Sequence, residues 1–331
     1  MKPYRVLSVV LIALWIGVPA SRSLVAQQPP GTAPPPWTLT EAQIREIVGR
    51  VRAGRNLMPK SWPNGSRVAV GLSFDLDNET TTLRDGLSSP ALLSQGEYGS
   101  RAGLPRVLSL LDRHGIAASF FVPAVSAMLH EDSMKAIGRS GRHEVGLHGW
   151  IHERNSQLDG TTERDLLTRA AKALEAATGK KPVGMRTPSW DYSPQTIQIA
   201  RELGLVYDSS LMADDRPYEI VAAGQPTGVV ELPVEWILDD FPYFWMDRSS
   251  TVRPTMTPDE VFAIWKAEFD VAYEERGLFI LTMHPHVIGH RARMAMLDRL
   301  VTHMKSKPGV WFATHEQIAQ HVRLDHGMTR P

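Results

Sequence analysis

The chain has no cysteine among its 331 residues. Disulfides, thiolate metal ligands and thiol nucleophiles are therefore excluded, and stability must come from a sizeable core or from a metal. There is no excess of charge either, since 36 Lys and Arg offset 36 Asp and Glu. A strongly basic footprint for nucleic acid is absent, and no nucleic-acid partner is expected. No apolar run reaches the roughly 20 residues that a membrane span needs. The run at residues 7–18 follows Lys2 and Arg5, and Ala20 and Ala26 offer cleavage positions after it. That is the layout of a cleaved secretory signal over residues 1–26. A lipoprotein route would need a cysteine. Internal repeats are missing, and the one compositionally biased stretch is a Pro- and Gln-rich linker at residues 27–38.

What remains is ordinary globular material, 43% hydrophobic and 22% charged, enough for one large domain with extensions. Thr40 and Gln43 form a capping box that predicts a helix from residue 41 to about residue 53, within an N-terminal helical extension at 39–66. From Arg67 onward, short apolar runs alternate with helical patterns. Strands are expected at 68–74, 117–122, 144–147, 183–186, 206–208, 229–234, 278–283 and 310–313. Helices are expected at 105–113, 163–177, 194–203, 258–276 and 293–305, with Gly115, Gly179, Gly204 and Gly277 just past helix ends. Seven or eight strands alternating with helices indicate an α/β fold with a parallel sheet, open or closed into a barrel. Asp75, Asp77, His148, Arg186, Asp208 and His284 each fall at or just past the C-terminal end of a predicted strand. In a (β/α) barrel those ends converge on one mouth, so this placement favours the barrel.

Asp75 and Asp77 follow an apolar strand at i, i+2 and point to one side. Side by side they repel unless a cation lies between them, and a metal held by one leaves the other as a base. His148 and His152 stand at i, i+4, a spacing that binds one ion if the segment is helical. An Asp with two His is a ligand set for a catalytic divalent ion with an open position. His284 ends a strongly apolar run and suits a general acid for a leaving amine. Arg186 can hold a carboxylate bidentately, either Asp75 or one from the 235–240 segment. Trp190, Trp236, Phe241, Tyr243 and Phe244 either line a groove for a sugar or belong to the core. His286, His290 and Asp214-Asp215 have no assigned role.

In this order the residues resemble the polysaccharide deacetylases, also called the NodB-homology family or carbohydrate esterase family 4, over residues 67–322. Phe74-Asp75-Leu76-Asp77 resembles the first motif, with Asp75 as base and Asp77 as metal ligand. His148 to His152 resembles the second and supplies the other two ligands. Arg186-Thr187-Pro188-Ser189-Trp190 resembles the third, whose Arg orients the base. Residues 236–240 resemble the fourth, and Leu281-Thr282-Met283-His284 the fifth, whose His is the acid. The resemblance implies a distorted, seven-stranded (β/α) barrel and a zinc-type divalent cofactor. It also implies a glycan substrate contacted by Trp190, Trp236, Asp240 and Tyr243, with a backbone N–H near Ser189-Trp190 helping to hold the oxyanion. Leu76 between the two Asp residues, and Gly149 after the first His, depart from the common pattern. They resemble a subgroup of peptidoglycan-deacetylase-like and allantoinase-like proteins. The expectation is an exported, periplasmic or extracellular, metal-dependent hydrolase of N-acetyl amides, with a ureide or cyclic-imide hydrolase and a non-catalytic glycan binder as alternatives. A tail at 323–331 follows, and oligomeric state is open.

Overall fold

The computed structural model describes residues 35–246 and 256–328. The signal expected at 1–26 and most of the linker lie outside them. The chain divides into two units, Met1–Ile44 and Arg45–Pro331. In the first, Thr40 and Gln43 exchange the capping-box hydrogen bonds, with Thr40 N donating to Gln43 Oε1 at 2.8 Å. The helix they start runs Glu41–Gly49 and stops short of the expected end at 53. Residues from Val51 onward are extended because they pair with another strand.

The second unit is built on one ten-stranded sheet among the described residues. Its strands are β1 (Val51–Asn56), β2 (Val68–Asp75), β3 (Ser119–Val122), β4 (Glu144–Leu147), β5 (Gly184–Met185), β6 (Tyr207–Asp208), β7 (Tyr218–Ala222), β8 (Gln225–Glu231), β9 (Leu278–Met283) and β10 (Val310–Phe312). Strands β2, β3, β4, β5, β6 and β8 pair in parallel in that order. β9 takes one edge of β2, while β10 and β3 share the other edge, at its start and its end. β7 and β1 extend the sheet as an antiparallel ribbon beyond β8. Eight strands remain without this ribbon, one more than the seven expected, and the sheet curls into a half-barrel with helices outside. Eight of the ten strands match the expected ones to within a few residues. β1 and β7 were not expected because Arg, Gly and Asn break up β1, and the alternation in β7 is limited to the three residues Tyr218-Glu219-Ile220.

Side-chain alternation along β2 explains how the barrel is filled. Val68, Val70, Leu72 and Phe74 point outward into the core shared with the surrounding helices. Ala69, Gly71, Ser73 and Asp75 therefore face the inside. The C-terminal helix His315–Asp325 packs into that inside, putting Ile318, Ala319 and Val322 in the same buried cluster as Ala69, Phe121 and Ile280. Gly71 makes the room, since a Cβ there would lie 2.7 Å from Ile280 Cδ1 and 3.1 Å from the His315 ring. The helix thus plugs one end of the half-barrel, and the strands' C-terminal ends open at the other. At Gly277 the expected left-handed helix end is taken one residue earlier, by Arg276 at φ 58°.

Candidate active site and metal centre

The open end is a cleft of about 780 Å³, lined among others by Asp75, Asp77, His148, His152, Trp190 and His284. That volume suits a sugar-sized ligand. Of the residues expected at the strand ends, Asp75, Asp77, His148 and His284 line this cleft and Arg186 reaches it through Asp75, whereas Asp208 is off the lining and accepts from Ser210 Oγ at 2.9 Å.

Asp75 closes β2 on its inner face, and Arg186 follows β5 on the same face. Arg186 is fully buried, so every one of its donors needs a partner. Nη1 donates to Asp75 Oδ1 at 2.8 Å and to Ser73 Oγ at 2.9 Å. Nε and Nη2 donate to the carbonyl and hydroxyl of Ser209 at 2.9 and 3.0 Å, and the guanidinium lies 4.3 Å from the centre of the Phe121 ring. Of the two partners open to Arg186, Asp75 is the one realised. Behind it a second layer reaches the C-terminal helix. His315 Nε2 lies 3.5 Å from Arg186 Nη2, and His315 Nδ1 lies 3.1 Å from Ser119 Oγ. Ser119 and Tyr207 donate to the two oxygens of Glu144 at 2.7 and 2.6 Å. Burial pushes Glu144 up to about 7, and burial followed by the Arg186 charge holds His315 well below the usual imidazole range.

Asp77, His148 and His152 each present one ligand atom, all within 4.8 Å of one another. His148 Nε2 is 3.4 Å from Asp77 Oδ1, and His152 Nε2 is 3.3 Å from Asp77 Oδ2. The helix that the His spacing suggested is not there. Residues 148–154 form a loop in which Gly149 and His152 have φ of 72° and 65°. The loop is tied by Glu153, whose carboxylate accepts from the N–H of Trp150 at 2.9 Å and of Ile151 at 2.7 Å. These bonds turn the chain so that two rings four residues apart face each other, with centroids 5.0 Å apart.

The donor set fits a divalent cation on two counts. Asp77 Oδ1 and His148 Nε2 are buried without a hydrogen-bond partner, which is costly unless something is meant to bind them. The other nitrogen of His148 sits 2.8 Å from the Arg186 carbonyl. That leaves Nδ1–H as the donor and frees Nε2 for a metal. Burial alone would raise the Asp77 carboxyl, but His152 and His148 hold it well below the usual carboxylate range.

His284 lies across the cleft, with Nε2 4.0 Å from Asp75 Oδ2. Residues 239–240 run beside β9, Asp239 bridging to Thr282. That brings the Asp240 carboxylate onto His284, accepting from its backbone N–H at 3.0 Å and contacting Nδ1 at 2.7 Å. Burial works against a charged imidazole there, yet Asp239 and Asp240 overcome it and hold His284 well above its ordinary pKa. Asp240 is itself fully buried behind His284, which corrects its expected place among the substrate contacts. Tyr243 is likewise off the cleft lining, and its hydroxyl donates to the Ile237 carbonyl at 3.1 Å. Trp190 and Trp236 do line the cleft, their ring centroids 4.3 Å apart. The Trp190 N–H donates to the Thr187 carbonyl at 3.0 Å and so is not free for an oxyanion. Glu144, His315, Ser73, Ser209 and Glu153 were missed. Only Ser73 carried a signal, because it shares the inner face of β2 with Asp75.

Comparison with known proteins agrees with this geometry. Residues 94–207 match the polysaccharide deacetylase family. A peptidoglycan deacetylase of Helicobacter pylori is 29% identical over 277 residues, covering 76% of this chain and 94% of that one. A Mycobacterium smegmatis crystal structure assigned as a polysaccharide deacetylase is 36% identical, with a TM-score of 0.76 over 85% of this chain and 98% of that one. The crystal structure of Puue allantoinase is 26% identical with a TM-score of 0.72, covering 83% of this chain and 96% of that one. With the half-barrel matched over almost the whole length of those structures, the chain belongs to the polysaccharide deacetylase family, hydrolases of carbon–nitrogen bonds other than peptide bonds.

Proposed function

We propose that this chain is an exported, divalent-metal-dependent deacetylase acting on the N-acetyl groups of amino sugars in a peptidoglycan-type glycan. The observation that carries the reading is the meeting of the Asp75–Arg186 pair, the Asp77-His148-His152 cluster and the Asp240–His284 pair in one aromatic-rimmed cleft. The 29% identity to a peptidoglycan deacetylase over nearly its full length supports the substrate class. Residues 1–26 remain the proposed export signal and 67–322 the proposed catalytic domain. Among the described residues no helix is long and apolar enough to cross a membrane.

Asp77, His148 and His152 would hold the ion, zinc in the first instance. Bound there, it would supply Lewis-acid polarisation of the amide carbonyl and lower the pKa of water. Asp75 takes a proton from the attacking water, held in position by Arg186 Nη1. The water oxygen forms the new C–O bond, and the C–N bond breaks. His284 donates its Nε2 proton to the departing nitrogen, so the products are acetate and a free amine. Asp240 acts through His284, fixing the ring and favouring its charged form. Trp190 and Trp236 offer a platform for the sugar face.

The test is acetate release from peptidoglycan and from N-acetylglucosamine oligomers, with and without a chelator. Chelator-sensitive acetate supports the reading. No acetate from zinc-loaded protein, together with turnover of a ureide or cyclic imide, would replace it with the reading that the allantoinase similarity favours.

A further inference from the structure

Two histidines serve the proposed metal centre, but their outer nitrogens face opposite kinds of group. A neutral imidazole has one N–H, so a ring that ligates through Nε2 must carry its proton on Nδ1 and donate it to an acceptor. His148 meets that condition at the Arg186 carbonyl. His152 does not. Its Nδ1 lies 2.8 Å from Nη1 of Arg84, and guanidinium is a donor with no acceptor capacity. The same Nη1 also reaches the His152 carbonyl at 3.2 Å and Ser189 Oγ at 3.4 Å. A guanidinium surrounded by acceptors in this way reads His152 Nδ1 as one of them. The ring proton is then on Nε2, aimed at Asp77 Oδ2, and the lone pair a metal needs is absent.

We propose that Arg84 guards the metal centre, competing with the ion for His152 and setting the affinity of the site. The inference rests on the reading of Asp77, His148 and His152 as metal ligands. In the guarded state Arg84 docks on Nδ1, and Nε2–H faces Asp77. In the loaded state the proton moves to Nδ1, and Arg84 withdraws. Asp85 gives it somewhere to go. Arg84 Nε and Nη2 already lie 3.1 and 3.4 Å from its carboxylate, and the Asp85 side chain is half exposed, at 50%. Arg84 ends the short helix Thr80–Arg84, immediately after the Asp75-to-Asp77 segment, so its backbone stays in place while the side chain moves. Withdrawal also removes a positive charge from beside the incoming cation.

The experiment is zinc titration of chelator-stripped full-length protein against a competing metal dye, with thermal melts of the stripped proteins as a folding control. Arg84→Gln puts an amide carbonyl within reach of Nδ1–H, and Arg84→Met removes the competing donor. Both are expected to bind zinc more tightly, the glutamine variant by about 10–100-fold, the usual range for an outer-shell partner. Equal or weaker binding in both folded variants overturns the proposal while leaving the metal reading intact. Asp77→Ala separates the two ideas, because unchanged zinc binding in that variant overturns the metal reading and this inference together. Nitrogen-15 correlation spectra of the stripped native protein give a readout that needs no variant. A His152 ring protonated on Nε2 supports the guard, and one protonated on Nδ1 overturns it.

Discussion

Replacing Glu144 by glutamine should change how the protein's stability depends on pH, with little effect on the stability itself in acid. Glu144 is buried at the start of β4 and accepts from Tyr207 and Ser119 and from the backbone N–H of Glu316 at 2.9 Å. Burial raises its carboxyl from 4.5 to about 7. Between those two values the folded protein keeps a proton that the unfolded chain has released. Stability therefore falls as pH rises through the interval. At about 1.4 kcal/mol per pH unit the loss amounts to about 3 kcal/mol. Glutamine has nearly the shape of the neutral acid, with one oxygen that accepts and one end that donates, and does not titrate. Urea unfolding of both proteins from about pH 4.5 to about pH 8 gives two stability curves whose difference isolates this one group. That difference should grow by about 3 kcal/mol in favour of the glutamine variant. A flat difference would refute the reasoning, because it would mean that Glu144 is ionised in the fold at no cost, the neighbouring donors having replaced its water completely.

Two further outcomes follow from the cleft. Asp240→Asn removes one of the two carboxylates, with Asp239, that keep His284 protonated, so kcat should fall by up to about 100-fold. The alkaline limb of the rate profile should also move to lower pH, since the proton-bearing form of His284 is lost earlier; an unmoved limb would exclude the pairing as the cause. Trp236→Ala removes a half-exposed ring that packs at a tilt against Trp190 and should raise KM about 3–10-fold at nearly constant kcat, the pattern of lost uniform binding. A fall in kcat alone would take Trp236 out of the substrate platform.

Much of this arrangement was legible because strand ends announce themselves. An apolar run that stops at a charged residue marks both the edge of the sheet and the mouth of the barrel, and Asp75, Arg186 and His284 all stand at such stops. The loop from His148 to His152 was less legible. Spacing of four suggests a helix, but here the turn depends on the Glu153 carboxylate capturing two backbone N–H groups, which sequence periodicity does not report. Asp240 and Tyr243 were expected at the substrate along with Trp236, which does line the cleft. Whether a residue faces the cleft or stands behind His284 depends on how the 239–240 segment lies along β9. The supporting layer of Ser119, Glu144, Tyr207 and His315 joins residues nearly two hundred positions apart, and no local pattern marks any of them as partners.

The plug formed by the C-terminal helix has a consequence for the order in which the molecule can be assembled. β2 and the helix His315–Asp325 lie at opposite ends of the folded sequence. Yet that helix supplies the floor on which Arg186, and through it Asp75, is held. Every strand of the half-barrel is synthesised before that floor exists. A growing chain can therefore pair β2 with β3 and β3 with β4 but lacks the His315 contact behind Arg186 until that helix arrives. Closing so long a loop is also entropically costly and belongs late in folding. Hydrolytic competence would then arrive last, once that helix has docked inside the finished sheet.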